Sequence, residues 1–349
     1  MNLDSESSHI HPFDDLAFPT SLREFQRLFP DDASCAAYLD RIRWGHGFEC
    51  PHCHDSKEPY RFAKRPGVLR CRSCRRDVAL TAGTLMERTH SPLSTWFWAA
   101  YLVSSMTPGL SAIQFQRQLG LSRYETAFQI LHKLRAGMVR GDCRRIGGGS
   151  PKDHVEVEVM QIGKNKRDEG RRIDNAALVV AAVEVCHRKP NNSGAVPRHG
   201  GRYAGRLRLE VMPDRNAKAL CSFVAAATEP GTVLVTSDWP GYATLTRRGY
   251  QHLVIAKGAK SEKAEDYLSM VRLVFLNLNS WLRGTHHGVS SHHLQAYLNE
   301  FAFRFNRRFS PFNAFRTLLG LADGAKSPTY EELYSGDWQH ATMTDRRTI

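Results

Sequence analysis

Two sets of residues have types and spacing that suit chemistry. The first is Cys50-x2-Cys53-x17-Cys71-x2-Cys74, two matched Cys-x-x-Cys pairs. Each pair puts two thiolates on one tight knuckle, and two knuckles complete a tetrahedron around a zinc ion. Four thiolates leave no open position, so this zinc builds structure rather than performing catalysis. His52 and His54 lie on the first knuckle as substitute ligands, or else face solvent. The second set centres on Asp238, at the end of the apolar run TVLVTSD and before a Trp-Pro-Gly turn. A carboxylate at the carboxyl end of a strand sits where open α/β sheets place their chemistry.

The elements that must position these residues follow from periodicity and turn signals. Thr20 or Ser21 caps a short helix ended by Pro30, and Asp31 or Asp32 caps a second. Residues 1–18 read as a loose tail. The cysteine pairs flank a small ribbon. LSTWFWAAYLVSSM, AIQFQRQLG and the run from Arg123 to Met138 read as helices, with Gly120-Leu121-Ser122 as a turn. Helix, short turn and longer helix outline a helix-turn-helix. GGGSP at 147–151 reads as a linker. Beyond it the period changes to two. HVEVEVMQIG, AALVVAAVEVC and RLRLEVMP are three strands, followed by the helix NAKALCSFVAAAT, the strand ending at Asp238, the strand HLVIA, and a helix from about Lys263 to Arg283.

This order predicts an α/β fold. A mixed sheet with an antiparallel meander, in the ribonuclease H-like order, is preceded by a zinc ribbon and an α-helical region. The expected boundaries are 1–48 for the tail and first helices, 49–80 for the ribbon and 81–146 for the helix-turn-helix region. A catalytic domain at 151–310 and a C-terminal tail at 311–349 complete the chain.

In such a sheet the first strand, the end of the fourth and the late helix approach one another. Their polar residues are Glu158, Asp238 and Asn277. Two carboxylates and a third oxygen ligand suit Mg²⁺, which activates a water or a 3′-hydroxyl for attack on a phosphodiester. Glu156 shares the face of Glu158 and is a rival ligand; strand register decides between them. A plain structural alternative stays open. The two glutamates also suit the solvent face of an edge strand, Asp238 a turn, and Asn277 a helix surface.

Charge names the partner. The chain of 349 residues carries a formal net charge of +13, which favours nucleic acid over a membrane surface. No apolar run approaches the ~18 residues of a spanning helix. No basic-then-apolar leader opens the chain, and the cysteine pairing suits a reducing cytoplasm, so a cytoplasmic, nucleoid-associated protein is expected. Between Arg61 and Asp77 there are seven Lys or Arg and one acid. Arg70, Arg72, Arg75 and Arg76 are therefore candidate DNA contacts, the alternative being a solvated basic face or a protein-binding zinc module. Arg123, Gln129, Lys133 and Arg135 are candidates on the helix-turn-helix. Arg283, His286 and His287 lie just beyond Asn277, near His292 and His293. Arg304, Arg307 and Arg308 end a basic amphipathic helix and read as backbone clamps.

The chain resembles the zinc-ribbon insertion-sequence transposases of the ISXO type over about 20–335. The resemblance rests on FECPHC with CRSCRRD; TAGTLMERTHSPLSTWF; VEVEVMQIG; VTSDWPGYATLTRRGYQHLVI; and NLNSWLRGTHHGVSSHHLQAYLNEFAFRFNRR. It implies a ribonuclease H-like DNA transposase with an Asp-Asp-Glu or Asp-Asp-Asn triad. That enzyme would bind terminal repeats and target DNA, and would act as a homo-oligomer in a synaptic complex. By that resemblance the second Asp is Asp238 and the third member Asn277, with 38 residues between them. At the first position the family reads Val-Glu-x-Asp-Glu-Thr-Tyr-x-Gly. Here Glu158 replaces the Asp, Val159 the Glu, and Met160 and Gln161 the Thr-Tyr. The extra methylene of Glu158 moves the carboxylate by about 1 Å, a displacement that can cost on the order of 10²-fold in rate. A catalytically degenerate, DNA-binding relative is therefore the alternative function.

Overall fold

The computed structural model describes residues 19–139, 144–147, 153–163, 166–168, 171–173, 176–188, 201–256, 268–309, 311–320, 329–335, 338–342 and 344. The expected tail at 1–18 and most of the GGGSP linker lie outside these residues, as does the start expected for the late helix at 263–267. Two compact units divide the chain. The first joins 1–107, 112–137 and 310–329; the second joins 108–111, 138–309 and 330–349.

In the first unit, α1 (Leu22–Leu28) and α2 (Asp32–Trp44) start where capping chemistry predicts. Ser21 accepts from the Glu24 amide, and Asp31 accepts from the Ser34 amide at 2.8 Å. Helix α3 (Leu93–Ser105) begins after Pro92 and has no cap of its own. Asp32 supplies one from a distance, accepting from the amides of Leu93 and Ser94. The ribbon strands β1 (Tyr60–Arg61), β2 (Val68–Arg70) and β3 (Asp77–Ala79) form an antiparallel sheet. Helices α4 (Ala112–Gln118) and α5 (Tyr124–Met138) are the expected helical pair.

The second unit contains β4 (His154–Ile162), β7 (Ala177–His187), β8 (Arg202–Met212), β9 (Val233–Ser237) and β10 (Gln251–Ile255). A short hairpin, β5 (Lys166–Asp168) and β6 (Arg171–Ile173), lies between β4 and β7 in the chain. The sheet order is β10-β9-β4-β7-β8, with β4, β7 and β8 antiparallel in sequence, and β4, β9 and β10 parallel. This is the predicted mixed, ribonuclease H-like order. Helix α6 (Ala217–Ala227) covers one face, packing Val155, Val157 and Val159 with Leu234. Helices α7 (Ser269–Gly284) and α8 (Leu294–Asn306) cover the other, over Ile162, Val179, Leu207 and Val235. Strand alternation therefore puts Glu156 and Glu158 on the α7 face.

Strand β8 is an edge, and α8 seals it. Asn306 accepts from the Leu207 amide at 2.7 Å and donates back to the Leu207 carbonyl at 3.1 Å. Gln295 accepts from the Val211 amide, and Arg308 donates to the carbonyls of Ala204 and Gly205. These contacts satisfy groups that an open edge exposes. They also explain much of the polar pattern in LQAYLNEFAFRFNRR.

The expected C-terminal tail contains two helices, α9 (Pro311–Gly320) and α10 (Tyr330–Ser335). Phe315 of α9 is buried against Phe25, Phe29, Tyr38 and Phe97, so α9 completes the aromatic core of the first unit.

Candidate active site and zinc centre

The four cysteines converge as their spacing requires. Their sulfurs lie within 4.8 Å of one another, with Cys50 and Cys74 at 3.7 Å and Cys53 and Cys71 at 3.6 Å. Bonds of ~2.3 Å to a tetrahedral zinc separate sulfurs by about 3.8 Å, so the set fits the ion. The two knuckles are built alike. His54 and Arg75 donate their amides to the carbonyls of Cys50 and Cys71, each with a positive φ, 57° and 62°. His54 turns its ring to Glu49.

The strand-end site is built by β4, β9 and α7. Register pairs Glu156 with Val235 and Val157 with Thr236, which sets Glu158 beside the end of β9. Ser237 donates its hydroxyl to Glu158 Oε1 at 3.2 Å. Asp238, the next residue, is exposed. Burial pushes the Glu158 carboxyl above its ordinary pKa. The Val159 amide, Ser237 and the charges of Arg272 and Arg215 oppose that shift without reversing it. Arg215 stacks over Trp239, its guanidinium 5.0 Å from the ring centre.

Glu156 has a different task from its neighbour. It is 1% exposed, and its Oε2 accepts from the Val271 amide at 2.8 Å. Helix α7 starts after Leu268, which offers no side-chain cap, so Glu156 serves as the cap from an adjacent strand. Register thus resolves the rivalry between the two glutamates: one anchors the helix, the other reaches the strand ends.

Asn277 is not brought to this side of α7. At ~100° per residue, Arg272 and Trp281 lie about 180° apart. The Arg272 flank is the one whose charge reaches Glu158. Trp281 packs on the rings of Tyr297 and Phe301 of α8. Asn277, four residues before Trp281, shares the α8-facing flank and is exposed. Asn279 stands about 20° from the Arg272 direction. It lines a cleft of about 660 Å³ with Ile162, Gly163, Arg283 and His287.

Residues 152–306 match the family model described as the ISXO2-like transposase domain, and residues 30–77 match the transposase zinc-ribbon domain. The chain belongs to the ISXO2-like transposase family. No curated protein and no solved structure matches it.

Transposases with a three-residue acidic site hold divalent ions through oxygens that converge. Magnesium requires near-octahedral oxygen coordination. Here Glu158 lies midway along β4, beside the end of β9 that runs into Asp238, Asn277 lies on the other flank of α7, and two arginines act on Glu158. Asn277 therefore does not complete a three-residue magnesium site with Glu158 and Asp238. Arg272, Arg215 and Ser237 were not singled out in the sequence. The seven-residue spacing of Arg272 and Asn279, one helical stripe, is the signal that could have found the flank facing Glu158.

The basic residues expected on DNA divide into two groups. Arg283 and His287 are exposed and line the same cleft, while Arg76 and Arg123 are exposed on the first unit. Arg72 and Arg75 stack on Tyr60 and remain exposed, while Arg70 pairs with Asp77 at 2.6 Å and is half-buried. The others turn inward and correct the expectation. Lys133 is 6% exposed, donates to the Glu87 carbonyl, and has its pKa lowered by burial. Arg135, on the same helix, is also buried. His286 packs between the rings of Trp281 and Tyr297. Arg304 pairs with buried Glu300, Arg307 stacks on Phe303, and Arg308 binds the β8 edge. Their charge is spent on holding α8, which a reading of the basic pattern cannot distinguish from DNA contact. Among the described residues no helix is long and apolar enough to cross a membrane.

Proposed function

We propose that the protein binds DNA as a catalytically degenerate member of its transposase family. It engages the ends of an insertion sequence through the zinc ribbon and helical region, and takes the DNA backbone at the strand-end site. One observation carries this reading: Glu158 has Ser237 and two arginine charges about it, while Asn277 lies on the opposite flank of α7. Exposed Arg72, Arg75, Arg76, Arg123, Arg283 and His287, with half-buried Arg70, supply the positive surface for duplex phosphates. Bringing two ends together takes at least two copies of the chain, acting at the chromosome in the cytoplasm.

An active strand-cleaving and strand-joining transposase is the rival. The placement of Glu158 beside the end of β9, where Ser237 meets it and Asp238 follows in the chain, favours it. The deciding experiment incubates the protein with duplex DNA carrying the element's ends in Mg²⁺ or Mn²⁺, with binding measured in parallel. Binding without nicking or joining is expected. Cleavage by the wild type that disappears in Asp238→Ala establishes the active enzyme instead.

A further inference from the structure

The degenerate reading leaves two carboxylates where a DNA strand must approach. An uncompensated pair of negative charges repels a phosphodiester. In a metal-dependent site the divalent ion removes that repulsion. Another positive group has to do so here.

Helix α7 brings one. The Val271 amide is fixed to Glu156, and Glu158 is the next residue on that face of β4. Arg272 therefore leaves the first turn of α7 close to Glu158, on the flank opposite Trp281. Arg215 approaches from the turn after β8 and stacks over Trp239, whose chain neighbour is Asp238. Both arginines are exposed, so their guanidinium groups can meet a ligand. A guanidinium has a planar fork of donors that matches phosphate oxygens and stays charged at any physiological pH.

We propose that Arg272, seconded by Arg215, stands in for the divalent cation and makes the strand-end site a metal-independent receptor for a DNA phosphodiester. This rests on the DNA-binding reading above. In this arrangement Glu158 and Ser237 are positioning residues. The carboxylate attracts the Arg272 side chain towards the strand ends, and Ser237 holds the carboxylate. Arg283 and His287 continue the positive surface along the neighbouring cleft.

The test uses the full-length, zinc-loaded protein and a labelled duplex carrying the element's ends. Affinity is measured across a salt series with no added divalent ion and no chelator, so that the ribbon keeps its zinc, and again in Mg²⁺. Wild-type affinity should be the same in both. Arg272→Ala should weaken binding about tenfold and reduce the slope of log affinity against log salt by about 0.9, the loss of one phosphate contact. Arg272→Lys should recover most of the slope but only part of the affinity. Zinc content and thermal melting establish that each variant is folded. Mn²⁺ titration followed by electron paramagnetic resonance should give the same free-ion signal for the wild type and Glu158→Gln. Unchanged affinity and salt slope in Arg272→Ala overturn the role of Arg272 while leaving DNA binding intact. So does Mn²⁺ bound by the wild type and lost in Glu158→Gln. A wild type that binds no duplex overturns the functional reading itself.

Discussion

Glu156 Oε2 lies 2.8 Å from the Val271 amide, a buried bond that ties the second-unit strand β4 to the start of helix α7. The helix has no local cap, so this carboxylate fixes both its height and its rotation against the sheet. Everything α7 presents to Glu158 depends on that rotation.

Removing the anchor should therefore loosen the helix. Glu156→Ala is expected to destabilise the protein by roughly 1–3 kcal/mol, the scale for leaving a buried backbone donor unsatisfied. Glu156→Gln keeps an acceptor for the Val271 amide and should cost less. Chemical unfolding with hydrogen exchange at the start of α7 tests this. Equal protection of the Val271 amide in Glu156→Ala and wild type would rule the anchor out.

The zinc centre should hold one ion per chain. Its removal by a strong chelator, or the substitution Cys50→Ser, is expected to unfold the ribbon, because structural zinc binding and folding are coupled. Metal analysis and amide spectra of residues 50–79 report the outcome. A ribbon that stays folded without metal contradicts it.

Asn306 makes two hydrogen bonds to one buried residue of an edge strand, Leu207. Asn306→Ala leaves both backbone groups unsatisfied and should cost about 1–3 kcal/mol. Opening that edge should also promote aggregation on heating. Asn306→Asp retains the acceptor but not the donor, and is expected to fall between the two. A melting temperature unchanged in Asn306→Ala would show that the edge is sealed by other means.

Glu184 gives a pH signature. Burial alone would raise its pKa, but hydrogen bonds from Arg206 and the Gly147 amide, with the Arg206 charge, hold it below the ordinary 4.5. A depressed carboxylate pKa contributes stability above the unfolded value, and that stability is lost as pH falls through the folded value. Glu184→Gln should melt lower than wild type at pH 7. The gap should narrow as the pH drops below about 4.5, where the carboxylate of the unfolded chain takes up a proton before that of the folded protein. A gap that is constant with pH would show that the charge of Glu184 contributes nothing.

The sequence by itself determined the zinc centre, because two Cys-x-x-Cys knuckles admit few other geometries. It also determined the strand order and the shared face of Glu156 and Glu158, because a period of two is fixed by the chain. The tertiary structure decided the rest. A helix of mixed polar residues offers several flanks, and only packing against β4 and α8 selects which one meets Glu158. That selection put Arg272 at the site and Asn277 away from it. Likewise, an arginine reads the same in sequence whether it meets a phosphate or a carbonyl. Arg304 and Arg308 turned inward because an edge strand and a buried glutamate needed their donors. Phe315 joined the first unit for the same kind of reason: its partners are distant in sequence, and only the folded chain brings them together.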